Sequence, residues 1–425
     1  MLEKIILENF KIHQSLELNL KNFTIFIGPN SSGKSSILQS LLILKNSLAK
    51  QQNRGIQYSS GSYDYGDFDD IVSLRKSSNN ILMHVVGFKK LPHGLTTDYP
   101  TYAKYGYKLV FDKEGPKQVY LGLTLDDFEI TFDWRLHKDI KCMIRGKFDN
   151  QPLSLANVSI DIFHPRFSTT SKNKDFQDRF FKLFVNGNFT KDLLDNFHYV
   201  QHHRSAISYG GQLLKYVDDI LSTEARNLTS RLISNLSKQP ELLTQVSNFI
   251  ERLTGKTVRT RNVDLHDMTD VPGVTLDFVK NGFYNAIIHE GSGPNQVILL
   301  LVTLLDSKEG STIAIDEPEI HLHPKFQSDL VKIMMEIAKK QSKQIIFTTH
   351  SEHMLYPFLA SISSKDKNSL SPNDVAVYYF EYPEGELKSK VEKLDINENG
   401  QISGGLKGFW ESDLEMLQEF SGKNE

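Results

Sequence analysis

The stretch "FIGPNSSGKSS", residues 26–36, decides how the rest of the chain is read. It fits G-x-x-x-x-G-K-S, with Gly28, Gly33, Lys34 and Ser35 at the fixed positions. Before it, "FTIFI" is a short apolar run rich in β-formers. After it, "KSSILQSLLILKNSLAKQ" places Ile37, Leu38, Leu41, Leu42, Leu44 and Leu48 at helical spacing. Strand, glycine loop and helix is the setting a phosphate cradle needs, because loop N–H groups and a helix N-terminus must converge on one anion. A serine-rich linker has no reason to be bracketed in this way. The backbone N–H groups of Ser31 to Ser35 are therefore expected to wrap a β-phosphate, with Lys34 reaching the β and γ oxygens.

Three later segments add chemistry to this loop. In "STIAIDEPE" an apolar strand ends in Asp316 and Glu317, at the end of a strand where open α/β sheets place ligands. Asp316 is suited to hold Mg²⁺ together with the Ser35 hydroxyl, and Glu317 to orient or deprotonate an attacking water. In "IIFTTHS" a second apolar strand ends at His350, placed to donate to a γ-phosphate. In "EGSGPNQVILLL" a glycine-rich turn opens an apolar helix, a pairing suited to an anion. Within one chain that turn has no second phosphate to meet; between two chains it has one.

The bulk composition narrows the class. The chain has 425 residues, 39% hydrophobic and 24% charged, and a net charge of −3, the values of an ordinary globular protein of two or three structural units. One cysteine, Cys142, excludes an internal disulfide and fits a reducing compartment, so a cytoplasmic location is expected. The opening "MLEKIILENF" is not a secretory signal, and "VILLLVTLL" is too short to span a bilayer. Strand-like runs such as "YKLVF", "QVYLGLTL" and "FEITFDWRL" predict an antiparallel sheet. Residues 175–255 read as mainly helical, and "DVAVYYFEY" and "SKVEKLDI" as strands of a terminal sheet. The H-x-H pair His321 and His323 has no cysteine beside it and is not read as a metal site.

Motif by motif, the sequence resembles the ATP-binding-cassette (ABC) ATPases of the SMC/RecF/OLD branch. "GPNSSGKSS" is similar to the Walker A loop, "TIAIDEPE" to Walker B, and "GSGPNQ" to the signature motif, with Ser292 and Gly293 at its Ser-Gly positions. "EIHLHP" resembles the D-loop region of OLD-type proteins, and His350 matches the switch histidine. Lys11, after Asn9-Phe10, falls where this branch often carries a basic residue near the nucleotide. The signature departs from the usual form at Pro294 and Asn295, and the Q-loop position stays open between Gln57 and Gln201.

The resemblance implies an α/β fold: an ABC-ATPase head with a mixed sheet around the P-loop, an antiparallel β subdomain and a helical insert. The head would take residues 1–75 and 261–425, the β subdomain 76–170 and the insert 171–260. It also implies ATP and Mg²⁺, with catalytic Glu317, His350 and Lys34 and metal-holding Ser35 and Asp316. The nucleotide set would be Lys11, Asn30, Ser31, Ser32, Gly33, Lys34, Ser35, Ser36, Ser292 and Gly293. Two heads would pair head-to-tail around two ATP molecules, each held by one chain's Walker A and the other's signature. The chain after His350 is too short for the Toprim nuclease domain of OLD proteins, so a nuclease is not expected. The ATP cycle would act on DNA, in repair or phage defence, or gate a separately encoded effector protein such as a nuclease or toxin. A transporter subunit fits poorly, since those heads keep Walker A and signature closer together, and no membrane partner is expected.

Overall fold

The computed structural model describes residues 1–49, 56, 58–60, 63–76, 78–90, 102–125, 128–135, 141–146, 194, 196–200, 238–263, 273–286, 289–364, 369–383, 385–386 and 388–403. The chain opens with strands β1 (Leu2–Phe10), β2 (His13–Asn19) and β3 (Phe23–Ile27), followed by helix α1 (Lys34–Ala49). Two-residue strands β4 (Ser59–Ser60) and β5 (Tyr63–Asp64) and the single turn α2 (Phe68–Ile71) come next. Then follow β6 (Ile81–Lys90), β7 (Tyr102–Asp112), β8 (Gly115–Leu125), β9 (Phe128–Arg135) and β10 (Lys141–Gly146). Beyond these lie β11 (Phe197–Val200), α3 (Pro240–Thr254), β12 (Thr257–Val263), β13 (Gly273–Lys280), β14 (Phe283–Ala286) and α4 (Ser292–Asp306). The last elements are β15 (Thr312–Asp316), α5 (Pro324–Lys340), β16 (Gln344–Thr349), α6 (Glu352–Ser363), β17 (Val375–Glu381) and β18 (Lys390–Leu394).

The site rests on a six-stranded sheet in the order β11-β15-β16-β3-β17-β18, parallel except at its last strand. β3, β15 and β16 are buried at every residue, as parallel strands covered on both faces must be. Side chains alternate across the sheet, so neighbouring residues enter different cores. Phe26, Ala314, Ile346, Ala376 and Phe380 join Ile37, Leu38 and Leu41 of α1 on one face. Ile25, Ile315, Phe347 and Val377 join Leu300 of α4, Met334 of α5 and Phe358 of α6 on the other. Helix ends follow from local chemistry. Pro324 opens α5 with His323 as its cap, and Ser351 caps α6 by accepting from the His353 N–H.

Three placements differ from the sequence reading. The antiparallel sheet runs β10-β9-β8-β7-β6-β1-β2, so the N-terminal strands are continuous with it through the β1–β6 pairing instead of standing apart. Inside the stretch read as mainly helical, "FHYV" is a strand that pairs in parallel with β15. Four residues are too few to show a period. The two C-terminal strands do not form a sheet of their own: β17 lies beside β3 and extends the central sheet. Residues 175–193, 195 and 201–237 of the stretch read as mainly helical, with the Q-loop candidate Gln201 among them, lie outside the described residues, as do Gln57 and the C-terminal end from residue 404.

Candidate active site

Strand order alone brings the predicted residues together. With β16 between β15 and β3, the carboxyl ends of three parallel strands deliver Asp316, His350 and the Gly28–Ser35 loop to one edge of the sheet. The loop is shaped by close approach. At Gly28, with φ 151°, an added Cβ would lie 2.1 Å from the Phe380 carbonyl oxygen on β17. Gly33, with φ 97°, packs on Ile12 and His13, and its carbonyl lies 3.0 Å from His13 Nε2. Behind the loop, Ser389 Oγ donates to the Ser32 carbonyl at 2.7 Å. Ser31 adopts a left-handed φ of 61°, Asn30 is exposed, and the Ser36 N–H donates to the Gly33 carbonyl.

Lys34, the first residue of α1, is 3% exposed. Its ammonium donates to the carbonyls of Gly28 at 2.9 Å and Pro29 at 2.7 Å, and more weakly to Ser32 Oγ at 3.4 Å. Burial pulls its pKa down to about 8, against the opposing charges of Glu317, Asp316 and Glu319.

Asp316 is nearly inaccessible. Its Oδ1 accepts from Ser35 Oγ at 2.7 Å and from Thr348 Oγ1 at 2.5 Å, and its Oδ2 from the Tyr199 hydroxyl at 3.4 Å. Glu317 follows in a left-handed φ of 47°, rare for a residue with a Cβ, and its N–H donates to Thr348 Oγ1 at 3.0 Å. Glu317 Oε1 accepts from His350 Nε2 at 2.6 Å. The other ring nitrogen, Nδ1, lies 2.9 Å from the Gly28 carbonyl and 3.3 Å from Lys34 Nζ. Protonated, it donates to the carbonyl; unprotonated, it accepts from the ammonium. His350 thus bridges the acidic turn and the loop.

Other predicted residues lie away from this cluster. Lys11 Nζ donates to Gln39 Oε1 of α1 at 2.6 Å and sits 5.0 Å from the Tyr65 ring, where burial lowers its pKa. Ser292 and Gly293 begin α4, and a Cβ on Gly293 would lie 2.7 Å from the His321 carbonyl oxygen. The signature turn therefore packs on the segment that follows the acidic turn. His323 accepts from the Lys325 N–H as a helix cap, and among the described residues no group of three or more His, Cys, Asp or Glu side chains could hold a metal.

Sequence reasoning missed Tyr199, Thr348 and Glu319, all of which touch the cluster. Thr348 could have been found as the hydroxyl two residues before the histidine in "TTH". Tyr199 could not, because nothing near it in sequence announces the site.

A strand-loop-helix cradle, an Asp-Glu strand end and a strand-end histidine on one sheet edge define an ABC-type ATPase of the SMC/RecF/OLD kind. The family described as AAA ATPase domain matches residues 1–239 and 211–355, and the chain belongs to that family. The chain is 23% identical over 409 residues to the Retron Vc95 probable ATPase of Vibrio cholerae serotype O1 biovar El Tor, covering 83% of this chain and 71% of that protein. It is 36% identical over 85 residues to the chromosome partition protein Smc of Methanocaldococcus jannaschii, covering 19% of this chain and 7% of Smc. Among solved structures, the Pyrococcus furiosus Smc head domain with an extended coiled coil, bound to the C-terminal domain of ScpA, is similar at a TM-score of 0.46. The identity there is 12%, over 99% of each chain. The chain is an ATPase.

Proposed function

We propose that ATP is hydrolysed at the edge formed by β3, β15 and β16, in a head that pairs head-to-tail with a second copy and acts on DNA in the cytoplasm, in repair or phage defence. The observation that carries the catalytic part is the chain of contacts Lys34–His350–Glu317, which joins the phosphate loop to the acidic turn. Lys34 leaves the Gly28 and Pro29 carbonyls for the β and γ oxygens of ATP, while loop N–H groups hold the β-phosphate. Glu317 orients the attacking water and accepts its proton. His350 holds the Glu317 carboxylate in place and turns a ring N–H toward the γ-phosphate. Asn30, Ser31, Ser32, Gly33 and Ser36 complete the cradle, and Lys11, now held to α1 through Gln39, would add a further cation on nucleotide binding.

The donor set also fits Mg²⁺. Ser35 Oγ and Asp316 Oδ1 are hard oxygens 2.7 Å apart, and a P-loop site needs little more from the protein because phosphates and water supply the rest. Ser35 and Asp316 would hold the ion, which when bound neutralises charge on the phosphoryl oxygens. Ser292 and Gly293, at the start of α4 and beside His321, would close on the partner's ATP.

DNA as the regulated ligand follows from the resemblance to the SMC/RecF/OLD branch. The net charge of −3 favours a second reading, in which the ATP-bound pair holds or releases a separately encoded effector protein. ATP turnover measured with and without linear duplex DNA separates the two. Under the first reading, DNA raises the rate several-fold over a Glu317→Gln blank. A low rate unmoved by DNA contradicts that reading and directs the search to a protein partner.

A further inference from the structure

Glu319 is the one carboxylate of the "DEPE" turn that the mechanism above leaves unused. It is 8% exposed, although two residues earlier Glu317 is open enough to meet substrate. Its Oε1 accepts two hydrogen bonds from the end of β16, from the His350 backbone N–H at 2.7 Å and from Thr349 Oγ1 at 2.7 Å. Its Oε2 is buried without a hydrogen-bond partner in the structure. Burying a carboxylate costs several kcal/mol unless its acceptors are well used, and the burial accordingly raises its pKa. A solvated acid at the end of a strand would not be kept there.

The geometry gives the burial a purpose. The acidic turn is fastened to β16 at two points. Thr348 holds its start through Asp316 Oδ1 and the Glu317 N–H, and Glu319 holds its end through the main chain of His350. Between the two clamps lies the contact of His350 Nε2 with Glu317 Oε1 at 2.6 Å, made by a Glu317 backbone held in a left-handed conformation. His350 immediately precedes Ser351, the cap of α6, so the Glu319 carboxylate also lies beside the positive end of a helix dipole. Without an acceptor at position 319, the His350 N–H loses its partner and the Thr349 hydroxyl keeps only the Ser351 carbonyl at 3.4 Å. The imidazole is then free to turn away from Glu317.

We propose that Glu319 is a positioning residue for ATP hydrolysis, acting through the His350 backbone to aim the imidazole at Glu317. The proposal rests on the roles given above to Glu317 and His350. Its test compares kcat and KM for ATP turnover, with directly titrated ATP affinity, in Glu319→Met, Glu319→Ala and Glu319→Gln, each alone and combined with His350→Ala. The methionine fills the same buried volume without an acceptor, which covers the case in which the alanine cavity unfolds the chain. The expected result is a kcat lowered about 10- to 100-fold in Glu319→Met with ATP affinity changed less than about 3-fold. Glu319→Gln, whose Oε1 still accepts, recovers most of the rate. In the His350→Ala background the Glu319 change adds almost nothing, because the group it positions is gone.

A kcat within about 2-fold of the parent in Glu319→Met overturns the proposal, as does a full additional loss on top of His350→Ala. So does a defect that Glu319→Gln fails to repair. Failure of the underlying reading looks different: His350→Ala alone would then turn over ATP at the parent rate.

Discussion

Glu317→Gln is expected to slow ATP turnover by roughly 10²–10⁴-fold while ATP still binds. The amide keeps the size of the side chain and leaves the phosphate loop untouched, so affinity has no reason to change. What it loses is the ability to take a proton from water. It also weakens the bond to His350 Nε2, now a 2.6 Å charge-assisted contact. Phosphate release gives the rate, and calorimetric titration with ATP gives the affinity. A rate within about 10-fold of the parent would remove Glu317 from the chemistry.

Lys34→Ala is expected to cut ATP affinity by at least about 100-fold, beyond ordinary titration. The ammonium is almost fully enclosed and already desolvated, with burial holding its pKa at about 8. Much of the cost of burying it is therefore met before the nucleotide arrives, and its exchange of the Gly28 and Pro29 carbonyls for phosphate oxygens gains a full charge-charge contact. The alanine gives up that contact without disturbing the apolar side of α1. Normal ATP binding by this variant would refute the cradle assignment.

The parts of the site legible in the sequence were those written in local patterns. The change from a strand run to helical spacing around Gly28–Ser35 marked the loop, and polar residues at the ends of apolar runs marked Asp316, Glu317 and His350. Their meeting could not be read that way, because it depends on β16 lying between β15 and β3, a pairing between segments more than 300 residues apart. The same holds for β17, which joins the central sheet and supplies the carbonyl that keeps Gly28 a glycine. Glu319 was hidden for another reason. In sequence it is one more acid after Asp316 and Glu317, and only burial distinguishes an acceptor for the His350 main chain from a solvated charge.

The head-to-tail pairing proposed above would make the site a shared one, and one mixing experiment tests that most directly. Lys34→Ala lacks a working loop, and Ser292→Arg places a bulky charge in the signature turn, so each alone should be inactive. Mixed, the two variants form hybrid pairs that contain one intact composite site, from the loop of one chain and the signature of the other. The account predicts ATP turnover in the mixture well above either variant alone, rising with the proportion of hybrid pairs. A mixture no more active than its components, with both variants folded, would contradict it.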